Sequence, residues 1–106
     1  MLFKNLNNYD KARIFANKVL EKDPYNGSAL IILGLICEVS LENDKAIDYL
    51  KKASEQQGYS LEGYYRLGKL HEKLGNRKSA INYYKNALIV KSTHLESLIA
   101  LANLLL

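Results

Sequence analysis

Few side chains in this sequence could do chemistry, and their spacing does not gather them into a reactive site. The chain has two histidines, His71 and His94, and one thiol, Cys37. Cys37 and His71 fall at equivalent positions of successive predicted helices, but two ligands do not make a metal site, and we expect both to fill packing slots. We expect His94 to lie on the surface, and Gly68-Lys69 lies inside a helical pattern, where it cannot form a phosphate loop. The sequence therefore predicts no catalytic residue, metal, cofactor or enzyme activity.

The composition argues against several classes of protein. The net charge of +4 is mild and is not concentrated in a basic block, which does not favour a nucleic-acid-binding arm. A single cysteine cannot form an internal disulfide, so nothing indicates an oxidising compartment. The most apolar run, residues 29–37, is too short to cross a bilayer, and the N-terminus lacks the features of a signal peptide. We therefore predict a cytoplasmic protein without a membrane partner.

Apolar residues recur three and four positions apart along the chain, which predicts amphipathic helices. In residues 67–88 two such stripes meet at one turn, where Gly75 suits a left-handed residue and Asn76 can cap the next helix. Residues 1–6 have the spacing of a helix end. No strand signal is present, so we predict an all-α protein. The predicted helices cover residues 10–22, 29–40, 43–57, 61–74, 77–91 and 93–106.

Other turn residues set the remaining helix ends. Pro24 and Gly58 end the helices that precede them. Asn26 and Ser60 offer caps for the helices that follow. A short connection is therefore expected between consecutive helices.

The chain repeats itself with a period of 34 residues. Residues 27–60 and 61–94 are identical at eight of 34 aligned positions, where random matching would give about two. A fixed period of helix–turn–helix units predicts a solenoid. The identical pairs are Leu33/Leu67, Gly34/Gly68, Glu38/Glu72, Ala46/Ala80, Ile47/Ile81, Tyr49/Tyr83, Lys51/Lys85 and Ala53/Ala87.

These residues resemble the tetratricopeptide repeat (TPR) family. Its pattern is an aromatic, Leu-Gly and an aromatic on helix A, then Ala, an aromatic and Ala on helix B, then Pro. His71 and Ser92 replace the second aromatic and the Pro of residues 61–94, and Leu30 and Cys37 take the helix-A aromatic positions of residues 27–60. Residues 61–94 supply Tyr64, Leu67, Gly68, Ala80, Tyr84 and Ala87.

The resemblance implies antiparallel A and B helices stacked as a right-handed superhelix, with residues 1–106 forming a single TPR array. Small residues such as Gly34 and Gly68 are expected to let helices approach closely while larger side chains fill the space beside them. The predicted units are a partial repeat over 1–26, full repeats over 27–60 and 61–94, and helix A of a further repeat over 95–106.

The resemblance also implies a concave groove lined mainly by the A helices. Ile31, Tyr65 and Ile99 would form an apolar ladder in it, beside the basic pair Arg66 and Lys69. We expect an extended or helical peptide of a partner protein to lie along this ladder, with an acidic group at the basic pair. The alternative is that the residues at 31, 32 and 35 are buried by a neighbouring segment. The predicted groove residues are Ile31, Ile32, Leu35, Tyr65, Arg66, Lys69, Glu72, Ile99 and Asn103.

Among partner classes, a protein or peptide is favoured. Chaperone-binding members of the family carry a carboxylate clamp of Lys, Asn and Arg, and Ile31, Leu35 and Tyr65 stand at clamp positions here, which argues against that partner. An RNA-binding helical repeat and a regulatory segment of a larger enzyme are the alternatives, the first supported only by the net charge. Nucleic acid is not the favoured partner.

Both ends of the sequence look unfinished. The last predicted helix places Leu98, Leu101 and Leu105 where a following helix B would cover them. We therefore expect a fragment of a longer TPR array, or self-association through these ends.

Overall fold

A computed structural model describes residues 8–106, and all the regular structure in this range is helical. The helix-end pattern of residues 1–6 lies outside the described residues. No helix of the described part is long and apolar enough to span a bilayer. The helices are α1 (Asn8–Lys22), α2 (Gly27–Val39), α3 (Asn43–Ser54), α4 (Ser60–Lys73), α5 (Arg77–Val90) and α6 (Leu95–Leu105).

Each helix packs on its neighbours in the chain, and the closest pairings are α2 with α3 and α4 with α5. The A helix α2 also contacts the next A helix, α4. The molecule is elongated, with principal dimensions of 50 × 28 × 20 Å. The described chain is therefore an all-α helical repeat solenoid, as the sequence predicts.

Most helix ends lie within two residues of the prediction, and hydrogen bonds explain two of the differences. α3 ends at Ser54 rather than near residue 57, because the Ser54 hydroxyl donates to the Lys51 carbonyl at 2.7 Å and the chain turns. Ser60 was expected to cap α4 but is its first residue. The Ser60 hydroxyl donates to the Ser54 carbonyl at 2.7 Å, which gives this carbonyl at the end of α3 a hydrogen-bond partner.

Small residues lie where the helices approach most closely. A Cβ on Gly34 would stand 2.7 Å from the Leu50 side chain, and a Cβ on Gly68 would stand 2.6 Å from the Tyr84 ring. Leu50 and Tyr84 are fully buried. The prediction that glycine admits a larger neighbour at these two equivalent positions is therefore confirmed.

The two turns between A and B helices use different residues for the same backbone conformation. Gly75 has φ +81, as predicted, and Leu41, which stands 34 residues earlier, has φ 62. A left-handed conformation is unfavourable for leucine because its Cβ crowds the following carbonyl oxygen. The Leu41 side chain is 79% exposed and contributes little to the core.

We expect Leu41→Gly to raise the free energy of unfolding by about 0.5–1 kcal/mol. Relief of about 1–2 kcal/mol of strain exceeds the greater entropy of glycine in the unfolded chain. Urea unfolding followed by circular dichroism measures the change. Leu41→Ala removes the same exposed side chain but keeps a Cβ, so an equal gain from alanine would contradict the strain argument.

On α6, Leu98 and Leu105 are exposed and Leu101 is half-buried. The equivalent residues of α4, Tyr64 and His71, lie against Tyr83 of α5. The self-association expected through this surface stays a prediction.

Candidate partner-binding groove

A hollow of about 300 Å³ lies between α4 and α6, and we call it the α4–α6 hollow. Five of the nine predicted groove residues line it, which brings together side chains from two successive A helices. The residues that line it are Tyr65, Lys69, Glu72, Tyr84, Glu96, Ile99, Ala100 and Asn103.

The other predicted groove residues lie elsewhere. Ile31 and Ile32 line a separate hollow with Tyr59, and Ile31 is only 8% exposed. Leu35 is half-buried against the core. Arg66 lines a third hollow, beside His94. The expected ladder is therefore uneven, and the expected basic pair is divided between two hollows.

Aromatic contacts fix the position of Tyr65. Its ring centroid lies 6.1 Å from that of Tyr84 and 5.2 Å from that of His94, which meets it edge-on. The Lys69 ammonium lies 5.7 Å from the same centroid, at cation–π distance. A half-buried aromatic that is held on three sides offers contact area to a ligand with little further loss of side-chain entropy.

A buried hydroxyl holds one carboxylate in the hollow. Tyr84 is fully buried, and its hydroxyl donates to Glu72 Oε1 at 2.8 Å. Burial first, and then this bond and the charge of Glu72, raise the pKa of the Tyr84 phenol above its usual range. The hydroxyl therefore remains a donor, and the Glu72 carboxylate is oriented before any ligand arrives.

Two further basic residues of α4 form ion pairs with acidic side chains. Arg66 Nε lies 3.0 Å from Glu62 Oε2 one turn away. Lys73 Nζ lies 2.9 Å from Glu38 Oε2 of α2 and so joins two repeats. Such exposed pairs add little stability, about 0–1 kcal/mol. They do reduce the positive charge that α4 can present to a ligand.

His94 is a helix cap rather than the surface residue that we expected. Its Nδ1 accepts from the Ser97 amide at 3.3 Å and lies 2.7 Å from the Ser97 hydroxyl. Asn26 accepts in the same way from the amide of Ala29, at 2.9 Å. Because Asn26 and His94 stand two periods apart, the repeat register contained the signal that we missed.

Cys37 and His71 are packed inside separate A–B pairs. Cys37 is fully buried, and its burial raises the pKa of the thiol. The His71 ring stacks on Tyr83 with centroids 5.4 Å apart. Within residues 8–106, no three His, Cys, Asp or Glu side chains cluster where they could hold a metal ion.

We expect His71→Phe to reduce the acid sensitivity of the fold. Burial, and then the charge of Lys51, lower the pKa of the His71 imidazole below its ordinary value of 6.5. As pH falls, His71 is therefore protonated in the unfolded chain before it is protonated in the folded chain. The folded state loses stability relative to the unfolded state as pH falls through about 6.5. Phenylalanine keeps the stacking but cannot titrate.

Urea unfolding of both proteins between about pH 7.5 and 5.5 measures this difference, above the range in which most carboxylates titrate. The wild-type chain should lose more stability across that interval than His71→Phe. Parallel stability curves would contradict the assignment.

The fold and the groove define a helical repeat protein of the solenoid class. Residues 61–94 match the family model described as tetratricopeptide repeat. No curated protein matches the chain. The matched residues are α4, α5 and their flanking turns, and the other helices fit the same repeat. Over residues 61–94 the chain is therefore a tetratricopeptide repeat.

Proposed function

We propose that this chain is a non-enzymatic interaction scaffold whose A helices bind a peptide or helix of a partner protein. The observation that carries the proposal is the α4–α6 hollow, where Tyr65, Ile99 and Asn103 from successive repeats meet at one surface. Members of the tetratricopeptide repeat family are typically scaffolds rather than enzymes.

The chemistry of the hollow suits a peptide. Ile99 is 53% exposed and Tyr65 is half-buried, so an apolar side chain of a ligand could bury area against both. Lys69, Glu72 and Asn103 can pair with the polar groups that every peptide carries. An aromatic anchor with polar neighbours is the usual composition of an interface hot spot.

The test is selection of 15-residue peptides from a display library on the folded chain. We expect selected peptides to lose at least about tenfold in affinity on Tyr65→Ala, since truncating a hot spot removes more than about 1.4 kcal/mol. Ile99→Asn removes the apolar contact at an exposed residue and should have the same effect without disturbing the core. Isothermal titration calorimetry measures the affinities.

Tyr25→Ala is the matched control, because Tyr25 is an exposed tyrosine in the turn between α1 and α2. It should leave the affinity unchanged. Peptides that bind Tyr65→Ala, Ile99→Asn and wild type equally would show that the groove is not the site. The double variant Tyr65→Ala with Arg66→Glu extends the test to the neighbouring hollow.

A further inference from the structure

The net positive charge of the helices comes from α1, α3 and α5, each of which carries more bases than acids, whereas the A helices α2, α4 and α6 together carry four acids and three bases. Every charged residue of the B helix α5 is basic: Arg77, Lys78 and Lys85. The A helices α2 and α6 carry one charged residue each, and both are acids, Glu38 and Glu96. The positive net charge of the molecule therefore does not describe the A-helix surface.

The basic residues of the remaining A helix, α4, already contact acidic or aromatic side chains. Arg66 pairs with Glu62 and Lys73 with Glu38. Lys69 lies over the Tyr65 ring. Lys69, the cation that lines the α4–α6 hollow, therefore lies against the Tyr65 ring of the same hollow.

Two carboxylates face the same hollow. The buried Tyr84 hydroxyl donates to one carboxylate oxygen of Glu72 at 2.8 Å. The Glu72 carboxylate keeps further lone pairs that can accept from a ligand. Glu96 lies across the hollow on α6, with Oε1 3.4 Å from His94 Nε2. The Asn103 side-chain oxygen can add a neutral acceptor. The polar groups that remain available to a ligand are mainly acceptors.

We propose that the α4–α6 hollow binds a basic side chain, arginine in preference to lysine, of the partner peptide. This inference rests on the proposed function. The guanidinium lies between Glu72 and Glu96, where its planar fork matches a carboxylate, and its aliphatic stem lies on Tyr65 and Ile99. The volume of about 300 Å³ is at the lower end of small-ligand sites and suits a single long side chain.

Charge complementarity is the basis for this choice over the acidic ligand expected from the sequence. An acidic side chain in the hollow would meet two like charges at close range, which is unfavourable. A basic side chain would not need Lys69 to move from the Tyr65 ring. It would meet the Glu72 carboxylate, which the bond from Tyr84 already orients. Pre-orientation of Glu72 lowers the entropic cost of the contact.

The display selection also tests this inference. Peptides that depend on Tyr65 should share an arginine or lysine at one position. Replacing that arginine with citrulline, which has the same shape without the charge, should weaken binding at least tenfold. Glu72→Gln should weaken the arginine peptide at least tenfold as well, but should change the affinity of the citrulline peptide less than threefold. Glutamine can still accept the bond from Tyr84, so the fold should be kept.

The control is Glu55→Gln, an exposed acid in the turn after α3, which should leave both peptides unaffected. Lys69→Met removes the competing cation and should strengthen binding of the arginine peptide. Tyr65-dependent peptides that lack a shared basic residue, or that carry a shared acid and weaken on Lys69→Met, would overturn this inference and leave the proposed function standing. A selection without any Tyr65-dependent peptide would overturn both.

Discussion

Replacing Tyr84 with alanine is expected to lower the free energy of unfolding by about 3–5 kcal/mol, a large part of the stability of a domain of this size. The ring is fully buried and fills the space that Gly68 leaves open. Alanine would leave a cavity between α4 and α5, the helices of the repeat that matches the family model. Urea unfolding followed by circular dichroism measures the loss.

Tyr84→Phe separates the ring from its hydroxyl. Phenylalanine fills the same space but cannot donate to Glu72, so we expect a loss of about 1 kcal/mol, in the range of a single hydrogen bond. Packing is thus expected to outweigh the hydrogen bond by a factor of about three. Equal losses for the two variants would show that the bond to Glu72, and not the ring, maintains the contact.

The scaffold could be predicted from the sequence because its determinants are local and repeated. Leu33-Gly34 and Leu67-Gly68 recur at one period, and each pairs with a buried side chain of the following helix. The period, the type of residue and the phase all limit the fold to stacked helix pairs. No single one of these signals would suffice.

The groove could be predicted only in part because its chemistry depends on contacts that no periodicity encodes. The bond from Tyr84 to Glu72 joins residues on two helices, and its direction depends on the packing of α4 against α5. The pairs Arg66–Glu62 and Lys73–Glu38 change which charges a ligand meets. The sequence shows which residues are charged, but it does not show which of them pair with each other.

A third class of residue was visible in the sequence but was overlooked because the repeats differ there. Ala29, Gly63 and Ser97 stand one period apart, and all three are buried small residues. Because the three residues differ in type, identity between the repeats does not reveal this position. Gly63 leaves no room for a side chain. A Cβ on it would stand 2.7 Å from the backbone N and Cα of Ser54, where α3 ends.

Gly63→Ala is therefore expected to destabilise the chain by about 2 kcal/mol. Overpacking costs about 1–3 kcal/mol and occasionally more, and the higher helix propensity of alanine offsets about 1 kcal/mol. We place the change in the upper part of this range because the obstacle is backbone. The α3–α4 contact lies between repeats, so α3 and α4 must separate to admit the methyl group.

Gly34→Ala is the matched comparison, because its Cβ would meet the Leu50 side chain at the same 2.7 Å. A side chain can shift where backbone cannot, so we expect a smaller loss, about 1 kcal/mol. Gly63→Ala should also lower the urea m-value, because weakening the contact between repeats lets them unfold separately. A loss for Gly34→Ala equal to that for Gly63→Ala, with m unchanged in both, would show that the two repeats are not coupled through this contact.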